Sequence, residues 1–262
     1  MALLPDTLEE VSGMEVVVGS DLIWMVNDSG NSAKIYGYDL AQKKIAKTIA
    51  ISNVSNTDWE DLASDNNGNL FIGDFGNNGN NRKDLAIYTV TNLSAIKEDS
   101  TNAIITSFYL SDQNHFPPRK KNRNFDVEAF ISMNGFFYLF TKNRSSDFDG
   151  TTKLYKLPAK EGRFEAQLIA SYKTCDNEHI CQITGASLDH STGNIALLSA
   201  NKVWLLSSYT EDAIFEGTIE TIELQHTSKK ESITFKNSKT LYIADEQNKF
   251  SGGNIFELPI NN

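Results

Sequence analysis

The segment Glu60-Asp-Leu62 opens the stretch of sequence that decides the fold. It is followed by three further runs rich in apolar residues, Leu70-Phe-Ile72, Leu85-Ala-Ile-Tyr-Thr-Val90 and Ala103–Leu110. Turn residues such as Asn66-Asn-Gly68 lie between them, and short runs bounded in this way are typical of β-strands. Because apolarity in the short runs is continuous rather than alternating, we expect strands that are covered on both faces. This stretch therefore predicts one unit of four strands.

The same order of strands recurs along the chain. Each unit begins with a small polar or acidic residue, then a small residue, then an apolar strand, and the units open at Ser12, Glu60, Glu128, Thr184 and Glu231. These openings are 48, 68, 56 and 47 residues apart. A fourth strand is expected in each of the first four units, at Ile45–Ile51, Ala103–Leu110, Phe164–Tyr172 and Gly217–Leu224. Repeats of this length with four strands per unit are typical of a β-propeller.

The fifth unit has no fourth strand, because the sequence ends at Asn262. The segment Leu3–Val11 precedes the first unit, and we expect it to supply the missing strand and close the ring. The sequence thus predicts an all-β chain, a single five-bladed β-propeller domain over residues 1–262 in which the N-terminal strand completes the last blade. A β-sandwich or two small β domains would show alternating strands and would leave the five openings unexplained.

The composition excludes several classes of protein. The chain has 262 residues, of which 40% are hydrophobic and 22% charged, as in ordinary globular domains. Its net charge of −10 argues against nucleic acid or an anionic membrane as a partner. No apolar run approaches the roughly 18 residues of a membrane span, and no signal peptide opens the chain. We expect a monomer without a membrane span.

The five residues that open the units predict a metal site. Equivalent positions near the starts of the inner strands place their side chains in one ring around the axis of a propeller. The carboxylates among them would repel one another unless they are protonated or neutralised. Calcium accepts six to eight oxygen ligands from carboxylates, hydroxyls, carbonyls and water. We therefore expect Ca²⁺ as the cofactor, with the metal ligands Ser12, Glu60, Glu128, Thr184 and Glu231; a solvated tunnel is the alternative.

This order of ligands resembles that of the calcium-activated nucleotidases of the apyrase type. Those enzymes are five-bladed propellers whose central calcium is held by one residue per blade, in the order Ser, Glu, Ser, Ser, Glu. Three positions of this chain match, Thr184 replaces one hydroxyl by another, and Glu128 departs from the pattern. The sequence around Glu60 and the segment Asn27-Asp-Ser-Gly30 are also similar. The resemblance implies an axial calcium and a phosphorylated substrate, but it carries over no catalytic residues.

Two further segments resemble a different group of proteins more closely. Asp58-Trp-Glu-Asp-Leu62 and Gly73-Asp-Phe-Gly-Asn-Asn78 are similar to segments of uncharacterised bacterial propellers, loosely grouped with the phytase-like and SdiA-regulated proteins. This resemblance implies the fold and a calcium site. It implies no reaction, since a fold does not determine a function.

Charged side chains are expected on the same rim as the metal ligands, where the loops that enter first strands and leave second strands lie. The candidate catalytic residues are acids that could position water and an arginine that could stabilise a transition state: Asp28, Asp74, Asp245 and Arg144. Basic residues in neighbouring loops could attract an anionic small molecule: Arg82, Arg119, Lys120, Lys121, Arg123, Lys229 and Lys230. Solvated loops and turn-capping acids are the alternative interpretation.

Other catalytic templates are absent from the sequence. There is no Gly-x-Ser-x-Gly elbow, no Gly-rich phosphate loop before a helix and no His-Glu-x-x-His motif. The four histidines show no zinc spacing. A glycosidase that uses two opposed carboxylates is an open alternative, although no sequence marker selects a sugar.

The two cysteines bear on the compartment. Cys175 and Cys181 are spaced so that they could close a small disulfide loop, which suits a periplasmic or extracellular protein whose signal peptide is absent from this chain. Two reduced thiols in a cytoplasmic protein are the alternative. We expect export.

Two classes of function follow from these observations. The first is a calcium-dependent hydrolase, phosphohydrolase-like, that acts on a phosphorylated or other anionic small molecule at the rim. The second is a non-catalytic propeller whose calcium is structural and whose loops bind a protein or glycan partner. An enzyme needs a converging acid or base and an open metal position, whereas a binding module needs neither.

Overall fold

The computed structural model describes residues 2–247 and 252–260. These residues lie almost entirely in β-strands and loops. The α-helix found among them, α1, spans only Glu178–Cys181, and single turns of 3-10 helix lie at Asp6–Leu8, Leu93–Ala95, Lys120–Asn122 and Ile214–Glu216. In this part of the chain, no helix has the length and apolar character needed to cross a membrane.

The strands are short and follow one another closely. In chain order they are β1 (Ala2–Leu3), β2 (Val11–Val16), β3 (Ile23–Asn27), β4 (Lys34–Asp39), β5 (Lys44–Ile51), β6 (Trp59–Ser64), β7 (Leu70–Asp74), β8 (Leu85–Val90), β9 (Ser100–Thr101), β10 (Ile104–Leu110), β11 (Asp126–Met133), β12 (Phe136–Lys142), β13 (Thr151–Pro158), β14 (Gly162–Lys173), β15 (Gly185–Leu188), β16 (Ile195–Leu198), β17 (Lys202–Ser207), β18 (Thr218–Glu223), β19 (Lys230–Asn237), β20 (Thr240–Asp245) and β21 (Asn254–Pro259).

Hydrogen bonds order the described strands into four sheets. Three of them run β2-β3-β4-β5-β9, β15-β16-β17-β18 and β19-β20-β21-β1. The fourth joins the meander β6-β7-β8-β10 to the meander β11-β12-β13-β14, because the outer strands β10 and β14 pair in parallel, from Thr106 with Gly162 to Leu110 with Ala166. Each unit of the sequence therefore folds as an antiparallel meander.

The first strands of the units face one another. β2 packs against β6, β6 against β11, β11 against β15, β15 against β19, and β19 against β2. These strands therefore surround a common axis, and the other strands of each unit lie further out. This is an all-β, propeller-like fold, and the prediction of that architecture from the sequence is confirmed.

The hydrophobic core lies between neighbouring meanders. Trp59 and Ile72 of the second unit pack with Val26 of the first, and the ring of Phe75 meets that of Phe130 edge-on at 5.2 Å between centroids. Each large aromatic side chain removes about 150–250 Å² of surface from water. Burial on both faces of the strands explains why their apolar runs are continuous.

A buried carboxylate occupies the middle of the axis. Asp61 on β6 is fully buried, and its oxygens accept the N–H groups of Leu62 (2.9 Å), Phe130 on β11 (3.0 Å) and Ala186 on β15 (3.3 Å). Gly13 on β2 is so close that a Cβ there would lie 2.8 Å from the main chain of Asp61. One side chain thus ties together three inner strands.

The structure differs from the sequence prediction at the N-terminus. The fourth strands of the first four units begin and end within two residues of expectation. In the segment Leu3–Val11, however, only Leu3 belongs to β1, and Val11 begins β2. Pro5 has no N–H with which to continue a ladder, and the chain turns into a 3-10 helix at Asp6–Leu8. Ala2 and Leu3 still pair with Ile255 and Asn254 of β21.

Candidate functional site

Three carboxylates from two neighbouring units converge at one end of the axis. Asp28 follows β3, and Asp58 and Glu60 lie at the start of β6. One oxygen of each residue lies within 4.8 Å of those of the other two. Carboxylate oxygens in such a group are the hard donors that calcium binds. We call these three residues the acidic cluster.

The local conformation of β6 explains two members of the cluster. Asp58 immediately precedes β6 and Glu60 is its second residue, while Trp59 between them is fully buried in the core. The register against β7 shifts between Trp59 and Asp61. Such a bulge redirects side chains at the end of a strand, here towards the rim.

Hydrogen bonds hold the loop before β6 against the neighbouring unit. The side-chain amide of Asn56 donates to the main-chain carbonyls of Asn27 and Asp28, both at 2.9 Å. The main-chain N–H of Asp58 donates to the carboxylate of Asp74 at 3.1 Å. These bonds bring Asp28 of the first unit beside Asp58 of the second.

Gly76 forms a wall of the acidic cluster. A Cβ at this position would lie 2.1 Å from Oε1 of Glu60 and 2.5 Å from the carboxyl group of Asp58. Both distances are far below van der Waals contact, so any side chain at residue 76 would displace the carboxylates. The main chain of the Gly73–Asn78 segment therefore packs directly on the cluster.

The acidic cluster concentrates negative charge in a buried place. Glu60 is 7% exposed, and among the residues that the structure describes its carboxylate has no salt bridge or hydrogen-bond partner. Burial, and then the charges of Glu128 and Asp28, raise the pKa of Glu60 well above its usual range. Burial and the charge of Asp28 raise the pKa of Asp58 to about 6. Such crowding favours either protonation or a bound cation.

Basic side chains lie next to the acidic cluster. Lys142 is 3.0 Å from Glu128 and 3.9 Å from Glu231, and Lys229 is also 3.9 Å from Glu231. Arg144 is 2.7 Å from Glu128. We call Lys142, Arg144 and Lys229 the basic group. Although burial opposes it, the charges of Lys142 and Arg144 lower the pKa of Glu128.

The five residues of the ring expected from the sequence have different surroundings. The charge of Glu128 acts on both Glu60 and Glu231, so the three glutamates lie at the same end of the axis. The hydroxyl of Ser12 donates to the carbonyl of Trp59 on β6 at 2.7 Å, and that of Thr184 donates to the carbonyl of Lys230 on β19, also at 2.7 Å. Their bonds join neighbouring inner strands, and Glu60 is the ring carboxylate left without a basic partner.

Two of the four candidate catalytic residues are buried, and their carboxylates accept hydrogen bonds from other parts of the protein. Asp74 is 1% exposed and lies 2.9 Å from Arg82 and 2.9 Å from the hydroxyl of Tyr88. Asp245 is 2% exposed and accepts the N–H of Asn254 at 2.8 Å. These contacts make both aspartates positioning residues for nearby main chain.

The other two candidates lie at the site. Asp28 belongs to the acidic cluster. Nε of Arg144 donates to the carboxylate of Asp126 at 2.5 Å, and its Nη2 donates to that of Glu128 at 2.7 Å. Its Nη1 has no partner in residues 2–247 or 252–260, and the side chain is 28% exposed. Arg144 is thus oriented by two carboxylates with one nitrogen free.

A cleft of about 380 Å³ continues from the basic group towards the fourth unit. Lys142, Lys229 and Thr184 line it together with His179 and Gln182. His179 lies within the loop that a disulfide between Cys175 and Cys181 closes, and Gln182 follows it directly. The cleft offers ammonium, hydroxyl and amide donors to a ligand at the rim.

Hydrogen bonds hold parts of the loops that carry the basic residues expected at the rim. The N–H of Arg144 donates to the carbonyl of Arg123 at 2.9 Å, and the N–H of Ser146 donates to that of Lys120 at 3.2 Å. Lys230 is buried, and its ammonium donates to the carbonyls of Ala200 and His226 and to a serine hydroxyl. The ammonium group of Lys230 therefore holds this loop in place.

Sequence reasoning missed Asp58 and Asp126. Each stands two residues before a ring glutamate, in Asp58-Trp-Glu60 and Asp126-Val-Glu128. An acid repeated at this spacing in two units was the available signal, because residues two apart share a side of a strand.

Comparisons with known proteins bear on the fold. No protein-family model matches the chain, and no curated protein matches it. A structure described as a putative gluconolactonase aligns with a TM-score of 0.54 and 12% identity over 98% of this chain and 76% of its own. Hydrazine synthase of Kuenenia stuttgartiensis aligns with a TM-score of 0.51 and 10% identity over 95% of this chain and 71% of its own. At these identities the likeness concerns the fold alone.

Proposed function

We propose that this protein is a calcium-dependent hydrolase that acts on a small anionic molecule at the rim of its axis. One observation carries the proposal: the acidic cluster adjoins the basic group, with Glu128 between them. A place suited to a cation and a place suited to an anion therefore share one rim. Hydrolases of charged substrates use this combination to bind and polarise the group that reacts.

The donor set of the acidic cluster fits calcium. Three carboxylates within 4.8 Å of one another supply hard oxygens, and Glu60 has no competing basic partner among the described residues. We propose Asp28, Asp58 and Glu60 as the charged ligands, with the remaining ring residues close by. Calcium bound there would neutralise the carboxylates and orient an anionic oxygen of the substrate.

The basic group would hold the anionic part of the substrate. Arg144 is fixed by Asp126 and Glu128, so its free Nη1 can donate to a substrate oxygen without reorganisation. Lys142 and Lys229 line the adjoining cleft and would bind the rest of the charged group. The half-buried Asp28 offers an acceptor that could orient a water molecule.

The charge arrangement favours a phosphoester or phosphoanhydride as substrate, since such groups present several anionic oxygens to Arg and Lys donors. A lactone is the second class to be examined, because one protein of similar fold is described as a putative gluconolactonase. The two classes differ in the bond that water attacks, so one assay panel separates them.

The test is an assay of nucleoside di- and triphosphates, phytate, sugar phosphates and lactones with and without calcium. We expect turnover that requires calcium and that falls at least about tenfold in Glu60→Gln and in Arg144→Gln. The matched controls are Glu165→Gln and Arg163→Gln, two exposed positions on β14, which should leave the rate unchanged.

Calcium should also stabilise the fold. A ligand that binds only the folded state at a hundredfold excess over Kd adds about 2.7 kcal/mol, or roughly 5–10 °C in Tm for a chain of this size. Glu60→Gln should reduce this shift and Glu165→Gln should not. Identical melting curves in calcium and in EDTA would refute the calcium site.

A non-catalytic binding module with a structural calcium is the second candidate. It is favoured by the full use of Asp74 and Asp245 in internal hydrogen bonds, which leaves few free acids at the rim. No turnover across the panel, together with a calcium-dependent Tm and a protein or glycan partner that binds this rim, would establish it.

The same contacts support a five-bladed propeller closed by the N-terminus. The five inner strands contact one another in a complete circuit, and β1 adds a fourth strand to β19, β20 and β21. We propose that each meander is one blade and that β10 and β14 pair as the outer edges of two adjacent blades.

A further inference from the structure

A cleft of about 700 Å³ lies at the opposite end of the axis from the acidic cluster. Turns that join first strands to second strands form its walls, at residues 65–69, 133–135 and 188–193. Its volume falls within the roughly 300–1,000 Å³ of small-molecule sites. The proposed hydrolase site does not account for it.

Polar side chains with unused hydrogen-bonding capacity face this cleft. Ser132 is 6% exposed, lines the cleft, and its hydroxyl has no hydrogen-bond partner among the described residues. His190 places Nε2 3.0 Å from the carbonyl of Ser64. Because a carbonyl only accepts, Nε2 carries the hydrogen, and Nδ1 of the neutral ring is a free acceptor. Asn134 donates its amide to Glu211, which leaves its carbonyl oxygen as a further acceptor.

The aspartates in the turns beside the cleft are already satisfied. Asp65 accepts the N–H groups of Asn67 (2.9 Å) and Asn69 (3.0 Å) and the side-chain amide of Asn69 (2.8 Å). Asp189, in the third of these turns, accepts the N–H and hydroxyl of Ser191, at 2.9 and 2.7 Å. The turns are therefore rigid, and neither carboxylate calls for a cation.

The floor of the cleft is apolar. Phe71 is 5% exposed and Leu188 is 8% exposed, and the half-buried Met133 lies beside them. Hydroxyl, imidazole and amide groups therefore surround an apolar surface, and the exposed Lys160 and Glu161 lie at its edge. Sugars present the complementary combination, since their rings have C–H faces and hydroxyl edges.

We propose that this cleft binds a neutral, polyhydroxylated ligand, a mono- to trisaccharide. The hydroxyls of the sugar bond to Ser132, His190 and Asn134, and one face of its ring packs on Phe71 and Leu188. The ligand is neutral because the two aspartates of the turns are internally bonded, and the exposed Lys160 and Glu161, which also line the cleft, carry opposite charges.

This cleft is separate from the end of the axis that carries the acidic cluster. Asp61 occupies the middle of the axis without solvent exposure. Below it the buried Glu15 accepts the hydroxyls of Ser64 at 2.7 Å and Thr234 at 2.9 Å. This layer of bonded side chains separates the two ends of the axis, so a ligand at one end does not reach the other.

The test is binding of maltotriose, cellotriose and chitotriose to the full chain, measured by saturation-transfer NMR and by calorimetry. We expect at least one probe to bind, with Kd about fivefold higher in Ser132→Ala, the effect of one lost hydrogen bond. Asn134→Gly should weaken binding similarly; Asn134 has a φ of +51°, which glycine adopts without strain. Melting curves verify that the variants are folded.

Two controls separate this proposal from the hydrolase. Asn237→Ala, at the corresponding turn after β19, and Glu60→Gln should leave the Kd of the sugar unchanged. Absence of binding by all three probes to the unmodified protein would overturn the proposal. Equal affinities of the unmodified protein, Ser132→Ala and Asn134→Gly would also overturn it, because the ligand would then lie elsewhere.

Discussion

Glu60 and Glu128 occupy equivalent repeat positions but have opposite electrostatic surroundings. Glu60 is buried beside two other acids, and its pKa is raised well above the usual range by burial and then by the charges of Glu128 and Asp28. Glu128 is equally buried, but Lys142 and Arg144 lower its pKa. Residue type and repeat position are therefore the same, and only the partners across the rim differ.

This contrast predicts opposite effects of the same substitution. In EDTA, Glu60→Gln should leave stability unchanged or increase it, because it removes an unpaired buried carboxylate. Glu128→Gln should destabilise the protein by about 3 kcal/mol, because it removes the carboxylate nearest to Lys142 and one of the two that hold Arg144. Urea unfolding measures both; a loss of stability in Glu60→Gln without metal would contradict the assignment of Glu60 as unpaired.

Glu15 predicts a pH dependence of stability. Burial raises its pKa from 4.5 to about 7, while hydrogen bonds from Ser64 and Thr234 oppose the rise. Since the folded pKa is higher, Glu15 contributes stability that is complete below pH 4.5 and is lost as the pH rises through 7. Relative to Glu15→Gln, the unmodified protein should lose about 3 kcal/mol between pH 4.5 and pH 8.

The measurement is the free energy of unfolding of both proteins across that pH range. Taking their difference cancels the other titrating groups. The exposed Glu165→Gln serves as control and should follow the unmodified protein at every pH. A constant difference between the unmodified protein and Glu15→Gln would show that Glu15 is solvated.

At the scale of elements, β6 and β11 show how one motif yields two environments. An Asp-x-Glu motif begins β11 and overlaps the start of β6, and each strand has a register shift just after the motif begins. The strand that follows β11 is β12, which ends at Lys142 with Arg144 just beyond it. The strand that follows β6 is β7, which ends at Asp74. The neighbouring strand therefore decides whether the acids of the motif are paired with basic side chains.

Asp61 provides a prediction about the joining of the inner strands. Asp61→Ala would leave the N–H groups of Leu62, Phe130 and Ala186 without their acceptor, at about 1–3 kcal/mol for each buried group. We expect a loss of several kcal/mol or failure to fold. Asp61→Asn keeps one oxygen for the N–H groups of Phe130 and Ala186 and should lose less, as measured by urea unfolding. Equal stability of Asp61→Ala and the unmodified protein would contradict this role.

At the scale of the whole molecule, the proposed closure of the ring brings the two ends of the chain together. The N–H of Leu4 donates to the carbonyl of Gly253 at 2.7 Å. Leu4 and Leu8 pack in one cluster with Tyr242 and Ile255 of the last unit. In the proposed ring, the segment that leads from β1 in the last sheet to β2 is the chain connection between the last unit and the first.

Closure through the N-terminus predicts a contrast between adjacent leucines. Leu4 is 2% exposed and Leu3 is 67% exposed. Leu4→Ala should cost about 3 kcal/mol, roughly 5–10 °C in Tm, and should speed hydrogen exchange in β21. Leu3→Ala should change neither. Similar effects of the two substitutions would show that this end does not close the ring.

The sequence alone determined the all-β class and the order of strands. It could do so because strand runs and turn residues are local signals, and their repetition reveals which positions are equivalent. The bounds of the fourth strands followed from the same pattern to within two residues. At the N-terminus the local signal of Pro5 limited β1, and sequence reasoning did not use it.

Only the tertiary structure decided which acids are free. Asp28 reaches Asp58 and Glu60 from another unit, and Arg144 neutralises Glu128 from the far end of a hairpin. The cleft beside Ser132 is formed by turns of three different units. Charge interactions and hydrogen bonds act over a few ångströms, and which side chains approach so closely depends on register, bulges and packing between units. The distances between side chains of different units therefore cannot be inferred from local sequence patterns.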